Sequence, residues 1–332
     1  VDEVVRSDSD TASHVSPDVS PDVSPDGVPD YGKLPAPWCF AGRYFPRDLA
    51  GYWMDVVALS ANRTGVLLGC CRADDVAGGF RVVTRAELLH SADPVQSLSA
   101  LSDAPVSAIC AVIDGDSMSF SAHGGAGAAV GLPGGKTTVL GSTTGLVVSP
   151  LTPGATVLMS TQPIDGATIL LDDCSGLHPE TLADRVILSL DGAGGTAALL
   201  YRHPPAPLNV TMPADKAFLA VSRGLLRDWL ASAGVNTESG ADVLLAVGEA
   251  TANATEHAVA GASDRVDVTL RAAVGDGGLR LSVSDNGCWK PAAPSPGHRG
   301  HGLHLMNALL DTVDLRTGPR GTTVTMFKEL SR

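Results

Sequence analysis

Residues 247–258 read VGEATANATEHA, a run of good helix formers that carries Glu249, Asn253 and His257 at a strict interval of four. An α-helix turns once in 3.6 residues, so each step of four moves about 40° around the axis and ~6 Å along it. The carboxylate, the amide and the imidazole therefore form one polar stripe. Leu244, Val247, Thr251, Ala254 and Ala258 follow the three-then-four spacing of a packing face. The pattern predicts a helix that packs on one side and presents three polar groups on the other.

The flanking sequence extends this into an α/β layer. A helix with Phe218, Val221, Leu225 and Trp229 on one face runs to a stop at Gly234, and the cap-type residues NTESGAD precede the polar-striped helix. VDVTLRA and LRLSVSD alternate as strands joined by a VGDGG hairpin. A glycine-rich loop, a helix GLHLMNALLDTV and a final strand GTTVTMFK follow. The strand LRLSVSD ends in Asp285-Asn286-Gly287, where a carboxylate can meet a ligand edge while the glycine lets the backbone turn closely around it. Gly300 and Gly302 open the next helix, whose free amides and positive dipole end suit phosphate.

Together these pieces resemble the GHKL ATPase superfamily, most closely its anti-sigma-factor serine kinases. EATANATEHA matches their N-box, DNG the first glycine box, RGHGL the second and GTTV (321–324) the closing Gly-Thr motif. The resemblance covers roughly residues 208–332 and implies ATP and Mg²⁺ as cofactors. By that resemblance Asn253 is the Mg²⁺ ligand, an amide oxygen being a hard, neutral donor. Asp285 accepts from the adenine amino group, Gly287 lets the base lie close, and Thr322 or Thr323 helps hold it. Gly300 and Gly302 shape a short phosphate-facing lid, and Arg299 neutralises phosphate charge. Glu249 is the general base, a role that contributes ~10²–10⁴-fold in rate. His257 orients a neighbour or simply packs. The resemblance further implies a phosphoacceptor Ser or Thr on an anti-sigma-factor antagonist protein, a sigma factor as competing partner, and a tendency to form homodimers.

The preceding region, about 35–205, is strand-rich: YWMDVVALS, TGVLLGCC, VSAICAVID, ATVLMST and GTAALLYR are separated by Gly, Pro and Asp turns. Helical stretches are expected near 84–101 and at HPETLADRVILSL (178–190), with Pro179 in the first turn. RYFPRDLAGYWMDVVAL resembles the opening of the metal-dependent serine phosphatases that regulate sigma-factor switches. In that family aspartates hold two metals that activate water. Here Tyr52 stands at the first of those positions, Cys70 at the second, Gln162 at the third, and Gly194 and Gly195 at the last two; Asp55 alone remains. One carboxylate cannot hold a pair of hard cations, so this domain is expected to be catalytically dead.

Residues 1–34 contain VSPDVSPDVSPD, a four-residue repeat whose prolines rule out helix, and residues 1–33 hold eight acids against two bases. They read as a disordered acidic leader. The boundary to the C-terminal domain is expected at YRHPPAPLNV, giving segments 1–34, 35–205 and 206–332. The fold class is therefore α+β: a phosphatase-like β-sandwich with flanking helices, then a GHKL-type α/β two-layer sandwich.

Composition bounds the rest. The net charge of −13 argues against a nucleic-acid or anionic-membrane surface. Six scattered cysteines without metal-ligand spacing suit free thiols in a reducing cytoplasm. No apolar run approaches a membrane span. Two functions compete: a protein serine/threonine kinase, and a non-catalytic ATP-dependent binding module in a sigma-factor partner switch. Glu249 favours the kinase, because a pure binder needs no base there.

Overall fold

Strands whose residues are buried on both faces build the first half of the chain, which is why VSAICAVID runs almost unbroken in apolar residues. The computed structural model describes residues 37–45, 51–71, 74–141, 143–164, 171, 177–190, 195–258, 266–275, 277–287, 301–318 and 321–330. β2 (Tyr52–Ser60), β3 (Arg63–Cys71), β4 (Val106–Asp114), β5 (Ser117–His123) and β8 (Val147–Pro150) form one antiparallel sheet in that order. A second sheet has the order β1 (Phe40–Phe45), β10 (Thr196–Arg202), β9 (Thr156–Ser160), β6 (Gly127–Gly131) and β7 (Thr137–Gly141). Met54, Leu68, Ile109 and Phe120 of the first share a buried core with Phe40, Val157, Met159 and Leu199 of the second.

Helices α1 (Asp74–Ser91) and α2 (Pro94–Ser99) cover the outer face of the first sheet through Trp53, Leu67, Leu88 and Leu98. Helix α3 (Pro179–Ser189) covers the second through Leu158, Leu182, Val186 and Leu200. The result is a four-layer sandwich. The helical stretch expected near 84–101 is thus two helices, beginning earlier at Asp74. Ala92 adopts φ +51°, Asp93 caps α2 by accepting from the N–H groups of Val95 and Gln96, and Pro94 cannot continue a helix.

The C-terminal layer is a five-stranded antiparallel sheet of order β11 (Leu208–Pro213), β12 (Asp267–Gly275), β13 (Gly278–Asp285), β15 (Gly321–Glu329) and β14 (Thr312–Gly318). Alternation is clean: Val268, Leu270 and Ala272, then Leu279, Leu281 and Val283, then Val324 and Met326 are buried. Helices α4 (Lys216–Ser232), α5 (Thr237–Ala258) and α6 (His301–Leu309) pack on that face. Asp215 caps α4, and Gly234 ends it at φ +71°. On α5 the buried stripe is Val243, Ala246, Val247, Ala250 and Ala254, broader than expected, with Leu244 only half-buried. The sequence reading missed β11 and β14. Both are edge strands. β14 exposes Asp314, Leu315 and Arg316 and has no core-facing alternation, whereas β11 does alternate, with Leu208, Val210 and Met212 packed on the core, in a short run that follows directly on the prolines of the domain boundary.

Candidate functional site

The last residue of β13, Asp285, faces the helices, in phase with Leu281 and Val283. Its Oδ1 accepts from the N–H of Gly287 at 2.9 Å and from that of Thr322 at 3.4 Å, and the Thr322 hydroxyl also bonds the carboxyl. Burial pushes the Asp285 carboxyl up from its ordinary value, while these hydrogen bonds pull it back. The turn is locked from behind: Asn286 Oδ1 accepts from the Asp267 N–H at 2.8 Å.

Gly321 enters β15 at φ +125°, and a Cβ there would stand 2.8 Å from the Asp285 carbonyl carbon and 3.1 Å from Asn286 Cα. Only glycine allows the two strand ends to close like this. Gly321 and Asn286 were not picked out as site residues. The glycine's place at the head of GTTV was the available signal. β15 alternates, so Thr322 lies with Val324 and Met326 on the helix side, while Thr323 pairs with Ser284 on the opposite face. Of the two threonines, Thr322 is the one brought to Asp285.

On α5, Glu249 and Asn253 are half-buried, one turn apart. Among the described residues, neither side chain has a hydrogen-bond or ion-pair partner. Glu249 lies against the first turn of α6: a Cβ on Gly302 would meet its Cγ at 2.9 Å and its Cδ at 3.0 Å. A free carboxylate, a free amide and the amide-bearing start of a helix thus share one corner. Lys328 fixes α6 at its other end. Its Nζ donates to Asp242 Oδ2 of α5 at 3.0 Å and to the Leu309 carbonyl at 2.8 Å. Arg299, Gly300 and the side chain of His257 lie outside the described residues.

This corner fits a magnesium nucleotide on its own chemistry. Asn253 offers an unengaged hard oxygen, both backbone bonds to Asp285 fall on Oδ1, and Gly302 leaves room beside Glu249 that a Cβ would fill.

In the middle region the positions that carry metal-binding acids in the resembling phosphatases also converge, with other chemistry. Tyr52 pairs with Cys70 across β2 and β3. Gln162 Nε2 donates to the Gly195 carbonyl at 2.9 Å, and a Cβ on Gly195, at φ +82°, would stand 2.8 Å from Tyr52 Cζ. Tyr52 donates to the Phe45 carbonyl at 3.1 Å; burial first, then nearby Cys70, pushes its phenol up to about 12. Gly194 is outside the described residues. Asp55 faces away, on the α1 side with Trp53 and Val57. Arg81 grips it through Nε at 2.9 Å and Nη2 at 2.8 Å, with Arg85 at 3.5 Å. Among the described residues no group of three His, Cys, Asp or Glu could hold a metal ion.

Residues 212–328 match the model of the histidine kinase-like ATPase domain. The serine-protein kinase RsbW of Bacillus licheniformis is 29% identical over 140 residues, which cover 38% of this chain and 86% of that protein. The structure of the RsbU and RsbW domains of Rv1364c from Mycobacterium tuberculosis aligns over 90% of this chain and 97% of that one, at 23% identity and a TM-score of 0.49. The phosphatase domain of SpoIIE from Bacillus subtilis aligns over 50% of this chain and 92% of that one, at 15% identity and a TM-score of 0.35.

Proposed function

We propose that this chain, whose residues 212–328 form a histidine kinase-like ATPase domain, is an ATP- and Mg²⁺-dependent protein serine/threonine kinase. Its substrate is an anti-sigma-factor antagonist, and through it the kinase controls the availability of a sigma factor in the cytoplasm. The observation that carries this reading is the unpaired Glu249 carboxylate set against Gly302, on the same helix as Asn253. The likeness to a serine-protein kinase supports it.

In this mechanism Asp285 Oδ2 accepts from the adenine amino group, and Thr322 holds the carboxyl in place. Asn253 holds the Mg²⁺ ion, which when bound offsets the charge of the phosphates. Glu249 takes the proton of the acceptor hydroxyl as its oxygen bonds to the γ-phosphorus. The bond from that phosphorus to the bridging oxygen breaks, and ADP leaves. Arg299 and Gly300 belong to the lid in this proposal.

The sandwich domain is a regulatory scaffold without phosphatase activity. Its one remaining acid is committed to Arg81, and tyrosine, cysteine, glutamine and glycine fill the other positions. That loss favours a second reading, a nucleotide-gated binder without transfer. Phosphotransfer from γ-labelled ATP to a panel of antagonist proteins, with wild type beside Glu249→Ala, separates the two. Label on a serine or threonine that is lost in the variant supports the kinase. ATP binding without label on any antagonist supports the binder.

A further inference from the structure

A groove of about 570 Å³ opens between α4 and α5. Leu219 and Leu245 contribute apolar surface to it, and Leu245 remains 46% exposed. Lys216, Arg223 and Arg227 are exposed along it, and among the described residues none of them has an ion-pair or hydrogen-bond partner. Among the described residues of its lining, Glu249 is the one carboxylate. Three unpaired cations beside bare leucine surface call for a ligand that is both acidic and apolar.

We infer that the groove binds the chain's own Val15–Asp26 segment, VSPDVSPDVSPD. The segment repeats one valine and one aspartate every four residues, which matches a groove of leucines edged by cations. The charges are complementary, since residues 1–33 hold eight acids and two bases. Its reach is sufficient. The described chain enters at Pro37, and Phe40 pairs with Tyr201 near the end of β10. A few residues on, the Ala206 carbonyl accepts from Trp229 Nε1 near the C-terminal end of α4. Helix α4 has 17 residues and is roughly 25 Å long. Asp26 and Asp18 precede Pro37 by about 11 and about 19 residues, and a proline-rich chain spans ~3.1 Å per residue, so roughly 34 and 59 Å. The segment can therefore run along α4 within one molecule. The docking itself rests on the groove and the segment, independently of whether the domain transfers phosphate.

Zero-length carbodiimide coupling of the full chain at micromolar concentration, read by mass spectrometry on the monomer fraction, tests the inference without nucleotide or activity. The expected product joins Lys216 Nζ to Asp18, Asp22 or Asp26 within one chain. It should fall at least about fivefold in Arg223→Glu/Arg227→Glu, with hydrogen exchange in the C-terminal sheet confirming that the variant is folded. Should that variant fail to fold, Asp18→Asn/Asp22→Asn/Asp26→Asn is read instead by faster exchange over 216–227 and 244–252. The inference is overturned if Lys216 couples to none of these aspartates. It is overturned equally if coupling is unchanged in the arginine variant, if exchange is unchanged in the aspartate variant, or if the coupled species is only a dimer.

Discussion

Gly302 presents a bare Cα to Glu249: a methyl group there would come within 2.9 Å of the Glu249 Cγ and 3.0 Å of its Cδ. Because the obstacle is the far half of a flexible side chain, Gly302→Ala is tolerated by the fold. Alanine in place of glycine in an exposed helix even favours it by roughly 0.5–1 kcal/mol. The carboxylate, however, must swing away from the corner it shares with Asn253. The expected outcome is an unchanged or raised melting temperature with phosphotransfer lowered by at least about tenfold. Full transfer activity in this variant would show that Glu249's present position is immaterial.

Glu249 and Asn253 should separate chemistry from binding. Glu249→Gln keeps the size of the side chain and removes the base, so transfer falls by ~10²–10⁴-fold while ATP still binds. Asn253→Ala removes the hard oxygen, so the magnesium-dependent part of ATP affinity is lost while circular dichroism is unchanged. Titration calorimetry with and without magnesium reads both. Equal ATP affinity in Asn253→Ala and wild type would move the metal elsewhere.

Parts of this site were legible as motifs and parts were not. The polar stripe of α5 follows from helical period alone, and the DNG turn from a strand ending in Gly. The choice between Thr322 and Thr323 depends on which face of β15 meets the helices, which is set by pairing Thr323 with Ser284. Local sequence carries no information on that partner. Asp55 is similar. Its motif suggests a metal ligand, but its phase with Trp53 and Val57 turns it onto α1, and Arg81, 26 residues on, decides its use. Strand β14 escaped notice because its stability lies in pairing with β15, not in an apolar face of its own.

Arg81 and Asp55 should matter to stability and not to catalysis. Asp55 is 6% exposed at the side chain and Arg81 25%, so removing the arginine strands a largely buried carboxylate with Arg85 as its remaining partner. Breaking a buried pair from one side costs about 3–5 kcal/mol, and the partial exposure of Arg81 places Arg81→Met near the lower end. Urea unfolding should show that loss as a lower midpoint. Neither wild type nor the variant should release phosphate from a phosphoserine protein with manganese. Manganese-dependent release by wild type would overturn the assignment of a dead phosphatase-like domain.

Asp285 offers a test in which stability and binding move in opposite directions. Burial holds its carboxyl above the ordinary value, so the native state binds this proton more tightly than the unfolded chain does. Native stability from this group is therefore fully present below the unfolded value near pH ~4. It falls as pH rises through the window up to the folded value and stays reduced above it. Asparagine never ionises, and its Oδ1 can still accept from the N–H groups of Gly287 and Thr322. Asp285→Asn should thus be as stable as wild type or more so at pH 7, with the advantage gone in acid. Its new amide donor would meet the adenine amino group donor to donor. Loss of one charge-assisted hydrogen bond, about 1.5–3 kcal/mol, weakens ATP binding by at least about tenfold. Unchanged ATP affinity would remove Asp285 from the adenine subsite. A loss of stability at pH 7 would mean that its hydrogen bonds outweigh the burial of its charge.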